Sequence, residues 1–225
     1  MNKLCLLSLV IGLASQSAWA ETAVKPASNP STLQAKNAFI ANLMKQMTLD
    51  EKIGQLRLIS IGPEMPKSEI VKEIAAGKIG GTFNSVLLPD NRAMQDAAVA
   101  HSRMKIPMFF AYDVVHGQRT IFPISLGLAS TWDMDAVTRA GRVSAIEAAA
   151  DGVDMTFAPM VDITRDARWG RSSEGFGEDT YLVSRLSATM TRGFQGTSTQ
   201  APNTAHASFA SAKRRSEDDD QTHNT

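Results

Sequence analysis

Residues 154–179, DMTFAPMVDITRDARWGRSSEGFGED, decide how this chain is read. A mostly apolar run of strand length, 154–163, leads straight into a loop, 165–179, that holds three arginines, three glycines, one tryptophan and four carboxylates. Near-continuous hydrophobicity is what a strand covered on both faces requires, and such strands belong to parallel sheets. A dense polar loop at the end of such a strand marks a rim where chemistry can be placed.

Working outward, three more apolar runs have strand character: RLISIG (57–62), IGGTF (79–83) and IPMFFAYDVV (106–115). Segments near 68–76, 89–104, 132–152 and 179–196 carry helical spacing or composition. Strand followed by helix, four times over, is the signature of a parallel sheet with crossover helices. An open doubly wound sheet and a closed barrel both satisfy it. No G-x-G-x-x-G follows a strand and no G-x-x-x-x-G-K-[ST] occurs, so a nucleotide-binding sheet has no support. The expected fold is α/β, the N-terminal half of a (β/α)8 TIM-type barrel, incomplete in this chain.

Upstream, Ile40, Leu43, Met44 and Met47 recur at i, i+3, i+4 and i+7, which predicts a helix from Thr32 that packs its stripe against a partner. Thr48 with Glu51 three residues on predicts a capping box for a second helix, TLDEKIGQL (48–56). The first twenty residues, MNKLCLLSLVIGLASQSAWA, combine one lysine, an apolar stretch and small residues at Ala18 and Ala20. That pattern predicts a signal peptide cleaved after Ala20, and its apolar part is too short to span a bilayer. Cys5, the single cysteine, leaves with it, so stability after export must come from packing.

Residues 21–31 read as a linker and 32–196 as one domain. The chain has 23 basic and 23 acidic residues, which gives no electrostatic reason to expect nucleic acid or an anionic membrane as partner. From 197 to 225 the composition changes: within 201–225 Phe209 is the one large apolar residue, and KRR is neutralised by the EDDD that follows Ser216. A segment so poor in apolar surface is expected to be disordered.

In a parallel barrel the active site lies at the carboxyl ends of the strands. Asp113 and His116 interrupt the third apolar run, and Asp162, Arg165, Asp166, Arg168 and Arg171 follow the fourth. A carboxylate accepting from two hydroxyls beside a guanidinium donating to another suits a sugar ring, and Trp169 offers an apolar face. Asp166, Arg168 and Glu174 equally suit an ion-pair lattice that pins the loop. The four histidines, His101, His116, His206 and His223, form no H-E-x-x-H and have no cysteine partner beyond the leader, so no metal site is expected. His116 is read as fixing its loop. Ser125 and Ser130 lie in no G-x-S-x-G elbow, against a serine hydrolase.

Three stretches, MTLDEKIGQLRLISIG (47–62), IPMFFAYDVVHGQRTIFPISLGLASTWD (106–133) and FAPMVDITRDARWGRSSEGFGEDTYL (157–182), resemble the N-terminal part of glycoside hydrolase family 3. The likeness covers about 32–196. It implies a periplasmic, exo-acting, retaining hydrolase of small beta-glucosides or beta-linked oligosaccharides, with neither metal nor organic cofactor. The resemblance assigns Asp113, in YDVVHG, to gripping hydroxyls of the terminal sugar, and Arg171, ending RWGR, to binding substrate. Asp162, Arg165, Trp169 and His116 complete the candidate set. Ala167 stands where the family has proline in RDPRWGR.

The departure lies downstream. The family pattern continues with a Lys-His pair on the next strand, a nucleophilic Asp in an SDW- or SDH-like motif and an acid/base Glu from a second domain, and neither KH nor SD[WH] occurs here. Retaining hydrolysis needs two carboxyls about 5–5.5 Å apart. No residue of this chain is therefore assigned a catalytic role, and residues 197–225 are expected to be an out-of-frame tail. The alternative function is a non-catalytic carbohydrate-binding remnant or an inert gene product, and open sheet edges predict self-association.

Overall fold

The computed structural model describes residues 30–63, 65–196 and 209–210. The expected signal peptide, nearly all of the linker and most of the 197–225 tail lie outside these residues. Helix α1 (Pro30–Gln46) forms where helical spacing predicts it, but its stripe does not pack as expected. Phe39, Ile40 and Met44 are exposed, and only Met47, just past the helix end, is buried. Periodicity reports an apolar face and says nothing of whether the described residues supply its partner.

The predicted capping box is present at α2 (Leu49–Leu56). Thr48 Oγ1 accepts from Glu51 N at 3.2 Å and the Glu51 carboxylate accepts from Thr48 N at 2.8 Å. Arg103 reaches across to Glu51 and to the Gln46 carbonyl, tying both helices to the body of the fold.

Five strands form one sheet: β1 (Leu58–Ser60), β2 (Gly81–Phe83), β3 (Phe109–Tyr112), β4 (Met155–Thr156) and β5 (Phe209–Ala210). All pair in parallel and in chain order, with Leu58 opposite Gly81, Gly81 opposite Phe109, Ala111 opposite Met155 and Met155 opposite Phe209. Between the strands run α3 (Lys67–Ala75), α4 (Leu88–Asp96) with a wider turn over Ala97–His101, α5 (Ser125–Ala129) and α6 (Met134–Ala150), and α7 (Thr180–Gln195). A sheet that advances one strand at a time without reversing is how a barrel is wound, whereas a doubly wound sheet reverses at a switch point.

Two differences from the sequence reading concern strands. The fourth was predicted over 154–163, but its ladder closes within four residues: Asp154 N donates to the Phe110 carbonyl, Phe157 N donates to the Tyr112 carbonyl, and beyond them Pro159 has no N–H to offer. The fifth lies in the stretch expected to be disordered; Phe209–Ala210 pairs with β4. Composition averages over a tail and cannot see two residues that meet an open strand edge.

The core divides in two. Ile70, Ile74, Ile79, Met94 and Phe110 form one cluster beneath α3 and α4. Val137, Ala145, Val153, Leu186 and Phe194 form the other, where α6 packs along α7. At that crossing Gly193 lets the helices touch, since a Cβ there would stand 2.6 Å from the Thr138 carbonyl oxygen. Strand alternation turns Phe83 and Phe109 to the face opposite the first cluster. There Phe83 meets Phe157 edge-on at 6.0 Å between ring centres, while Phe109 stays 37 % exposed.

Candidate functional site

A cavity of about 370 Å³ opens at the carboxyl end of β3. One wall is the segment that follows the strand, from Asp113 to Ile124, including His116, Gly117, Gln118 and Ile121; the opposite wall is Ser173 and Glu174. The site thus joins two loops 60 residues apart in sequence, each entered from the end of a parallel strand.

Each wall has its own internal order. In the first, His116 Nδ1 donates to the Phe122 carbonyl at 3.1 Å while Phe122 N donates back to the His116 carbonyl at 2.8 Å. Gly117 makes the reversal possible with φ +120°. In the second, Thr164 N donates to the Gly177 carbonyl at 3.0 Å, closing the neck of the polar loop, and Phe176 is buried below it. Inside that neck Arg171 grips Glu174 with two parallel bonds, Nε to Oε1 at 2.9 Å and Nη2 to Oε2 at 2.8 Å. Such a fork fixes the guanidinium plane as well as its place.

The Glu174 carboxylate holds the Arg171 guanidinium firmly in its charged form, aided by the charges of Asp162 and Asp113. A fixed cation among three carboxylates is therefore the electrostatic centre of the site. Asp162 is buried, Asp113 is exposed to the cavity, and Nη1 of Arg171 takes no part in the Glu174 fork. Such a cluster offers both acceptors and donors to a polyhydroxylated ligand.

Of the predicted residues, Asp113 and His116 line the cavity; Arg171 and Asp162 stand behind its Glu174 wall, coupled by charge to one another and Arg171 also to Asp113, and Arg165 and Trp169 are likewise off the wall. Arg165 is exposed, and Trp169 is half-buried in the turn where its carbonyl accepts from Ser172 N and Oγ. The ion-pair lattice suggested by Asp166, Arg168 and Glu174 separates into two pairs. Arg168 binds Asp166 on the outer surface and holds that carboxyl down to about 2, while Glu174 belongs to Arg171. Sequence reasoning missed Gln118, Ile121, Ile124 and Ser173 as wall residues; apolar residues in a polar loop were the available signal. Among the described residues no group of three His, Cys, Asp or Glu is placed to hold a metal ion, and no helix is long and apolar enough to cross a membrane.

Comparison with known proteins bears directly on this arrangement. Residues 48–214 match the model of the glycosyl hydrolase family 3 N terminal domain, a match that runs past Gly196 and includes β5. The periplasmic beta-glucosidase of Salmonella typhimurium is 58 % identical over 198 residues, covering 88 % of this chain and 26 % of that protein. The lysosomal beta glucosidase of Dictyostelium discoideum is 31 % identical over 215 residues, 82 % of this chain and 26 % of its own length. Among solved structures, a beta-glucosidase from Listeria innocua in complex with glucose superimposes with a TM-score of 0.69 at 35 % identity, covering 77 % of this chain and 26 % of that one. The chain spans about a quarter of the length of the curated relatives it matches.

Proposed function

Because the chain belongs to glycosyl hydrolase family 3, whose N-terminal domain is a barrel of the TIM type, we propose that these 225 residues carry the part of a periplasmic beta-glucosidase that holds the terminal sugar. The ligand is a small beta-glucoside or beta-linked oligosaccharide bound through its terminal beta-D-glucosyl unit. Asp113 accepts hydrogen bonds from adjacent hydroxyls, and Arg171, locked in plane by Glu174, donates to a third. His116 spends Nδ1 on the Phe122 carbonyl and thereby shapes the wall. Asp162 supports the Arg171 charge from behind, and Arg165 and Trp169 serve the loop's outer side. One observation carries the reading: Asp113 on the wall after β3 faces Glu174 on the wall after β4, and Glu174 holds Arg171, whose guanidinium feels the Asp113 charge.

Binding here is separate from bond cleavage. Phe209–Ala210 of β5 follow Ala207 and Ser208 in sequence, not a Lys-His pair, and no SD[WH] motif occurs. Removing a nucleophile costs orders of magnitude in rate, so these residues bind glucose without turnover. No cofactor enters this reading, and the open edges of the sheet lead the chain to self-associate. Glucose titration by calorimetry, with release of nitrophenol from an aryl beta-glucoside followed in parallel, tests the proposal. Saturable heat without nitrophenol release is the expected result; absence of glucose binding, or turnover by this chain alone, overturns it. Sedimentation at several concentrations tests the association, which a monomer at all of them refutes.

A further inference from the structure

The geometry points to Glu147 and Asp151, at the last turn of α6, as positioning residues that clamp the Asp113-bearing wall of the cavity from outside the sheet. The inference rests on the sugar-binding reading for its consequence and on geometry alone for the clamp itself. Glu147 accepts three hydrogen bonds from the wall segment: Arg119 N at 2.9 Å, Thr120 N at 2.8 Å and Thr120 Oγ1 at 2.6 Å. Asp151 accepts from Gln118 Nε2 at 3.0 Å and pairs with the Arg119 guanidinium. Three consecutive residues of a loop, 118–120, are thus held by two carboxylates one helical turn apart.

Helix physics gives no other reason for these acids. Two like charges at i and i+4 repel, and the carbonyl end of a helix already carries partial negative charge. A sequence selected for the helix alone would place lysine or arginine there. The offset comes from the loop, whose donors hold both carboxyls below their ordinary range, with the Thr120 hydroxyl bond first for Glu147 and the Arg119 bond first for Asp151. α6 itself is a firm support, since Val137, Ala145 and Ala148 on its inner side are fully buried.

The clamp acts where the cavity needs it. Gln118 is a wall residue and a clamp residue at once; Gly117 precedes it and Ile121 follows the clamped tripeptide. With both flanks fixed, the reversal at Gly117 and the His116–Phe122 bonds set the height at which the segment leaves Asp113. Released from α6, the wall would sample other shapes, and ligand affinity would fall by the fraction of time the competent shape is lost.

The test uses the full 225-residue chain. Hydrogen exchange at the Arg119 and Thr120 amides reads the clamp, glucose titration reads its consequence, and thermal melting reads the fold. In Glu147→Ala both amides are expected to exchange about tenfold faster and glucose affinity to drop about tenfold with the melting temperature nearly unchanged. Glu147→Gln, which keeps one acceptor oxygen, recovers part of both. Should Glu147→Ala fail to fold, Thr120→Val removes the hydroxyl bond to Glu147 and Arg119→Ala the two guanidinium bonds to Asp151, each from the loop side, and they give the same readouts in smaller measure. Unchanged exchange at both amides overturns the clamp, as does undiminished affinity in a variant of a chain that binds glucose. A wild-type chain that binds no glucose refutes the sugar reading instead, and the amides still decide the clamp.

Discussion

Gly117→Ala isolates the wall segment better than removal of any polar group. The glycine sits at φ +120°, and a Cβ added there would stand 1.9 Å from the Thr120 carbonyl oxygen and 3.3 Å from the Phe122 ring. The first distance is far inside any real Cβ contact, so alanine either strains the native loop or displaces it. A non-glycine residue forced into such backbone costs about 1–3 kcal/mol. Two responses are available. If the loop keeps its shape, the whole cost falls on global stability, lowering the melting temperature by about 2–12 °C for a chain of this size. If the loop relaxes, the native wall becomes a minor state, and glucose affinity drops by the same free energy, about 5- to 150-fold. The clashing atom is a backbone oxygen that no side-chain motion can move aside, so relaxation is the lesser cost despite the bonds of the loop to α6. The expected result is a large loss of affinity with a small change in melting. Calorimetric titration beside differential scanning calorimetry measures both, and a variant that matches wild type in both would refute the reasoning.

Arg171→Lys keeps the charge and discards the fork; glucose affinity is expected to fall about tenfold or more in titration, since one ammonium cannot hold Glu174 bidentately and donate to a hydroxyl in plane. Gly193→Ala drives a methyl into the Thr138 carbonyl at the α6–α7 crossing and should cost about 1–3 kcal/mol in urea unfolding, with a wild-type midpoint as the contrary result. Thr48→Ala removes the cap of α2 and should cost about 1 kcal/mol by the same measurement. Glu51 is held down to about 2 by its bond to Arg103 and by Thr48. Its stabilising contribution is therefore complete above the ordinary carboxylate range near pH 4.5 and is lost as pH falls towards 2. Melting followed from pH 6 to pH 2 should show that loss in wild type and a shallower acid slope in Glu51→Gln.

The parallel winding was legible because its signal is local and repeated. Each strand is a short apolar run and each crossover a helical stretch, so order along the chain already forces order in the sheet. The Thr48–Glu51 cap was legible for the same reason, three residues separating the partners; the Arg171–Glu174 pair has the same spacing, yet the sequence reading joins Glu174 to Asp166 and Arg168 instead. What escaped was long-range. Glu147 and Asp151 meet Arg119 across 28 and 32 residues, and no periodicity ties an acid in a helix to the backbone of a loop so far upstream. The exposed stripe of α1 escaped for the opposite reason: spacing identified an apolar face, and spacing is silent on what covers it.

These lengths of interaction explain how the cavity wall, proposed to hold the sugar, can keep its shape beside a sheet whose inner face is partly open. The barrel-side contacts are sparse, with Phe109 more than a third exposed and Phe83 resting on Phe157. Neither loop of the cavity depends on them. The segment after β3 is braced by α6 from the helix side, and the loop after β4 is braced within itself by the Thr164–Gly177 neck and the Arg171–Glu174 fork. Both supports are made of contacts other than those of the phenylalanine face. Ligand geometry and barrel closure are then separable properties. Glucose affinity should track the α6 clamp and the Gly117 turn, while aggregation and edge pairing should track β1 and β5. Substitutions at Glu147 that weakened binding only in proportion to self-association would show the two to be one property, and the division drawn here would fail.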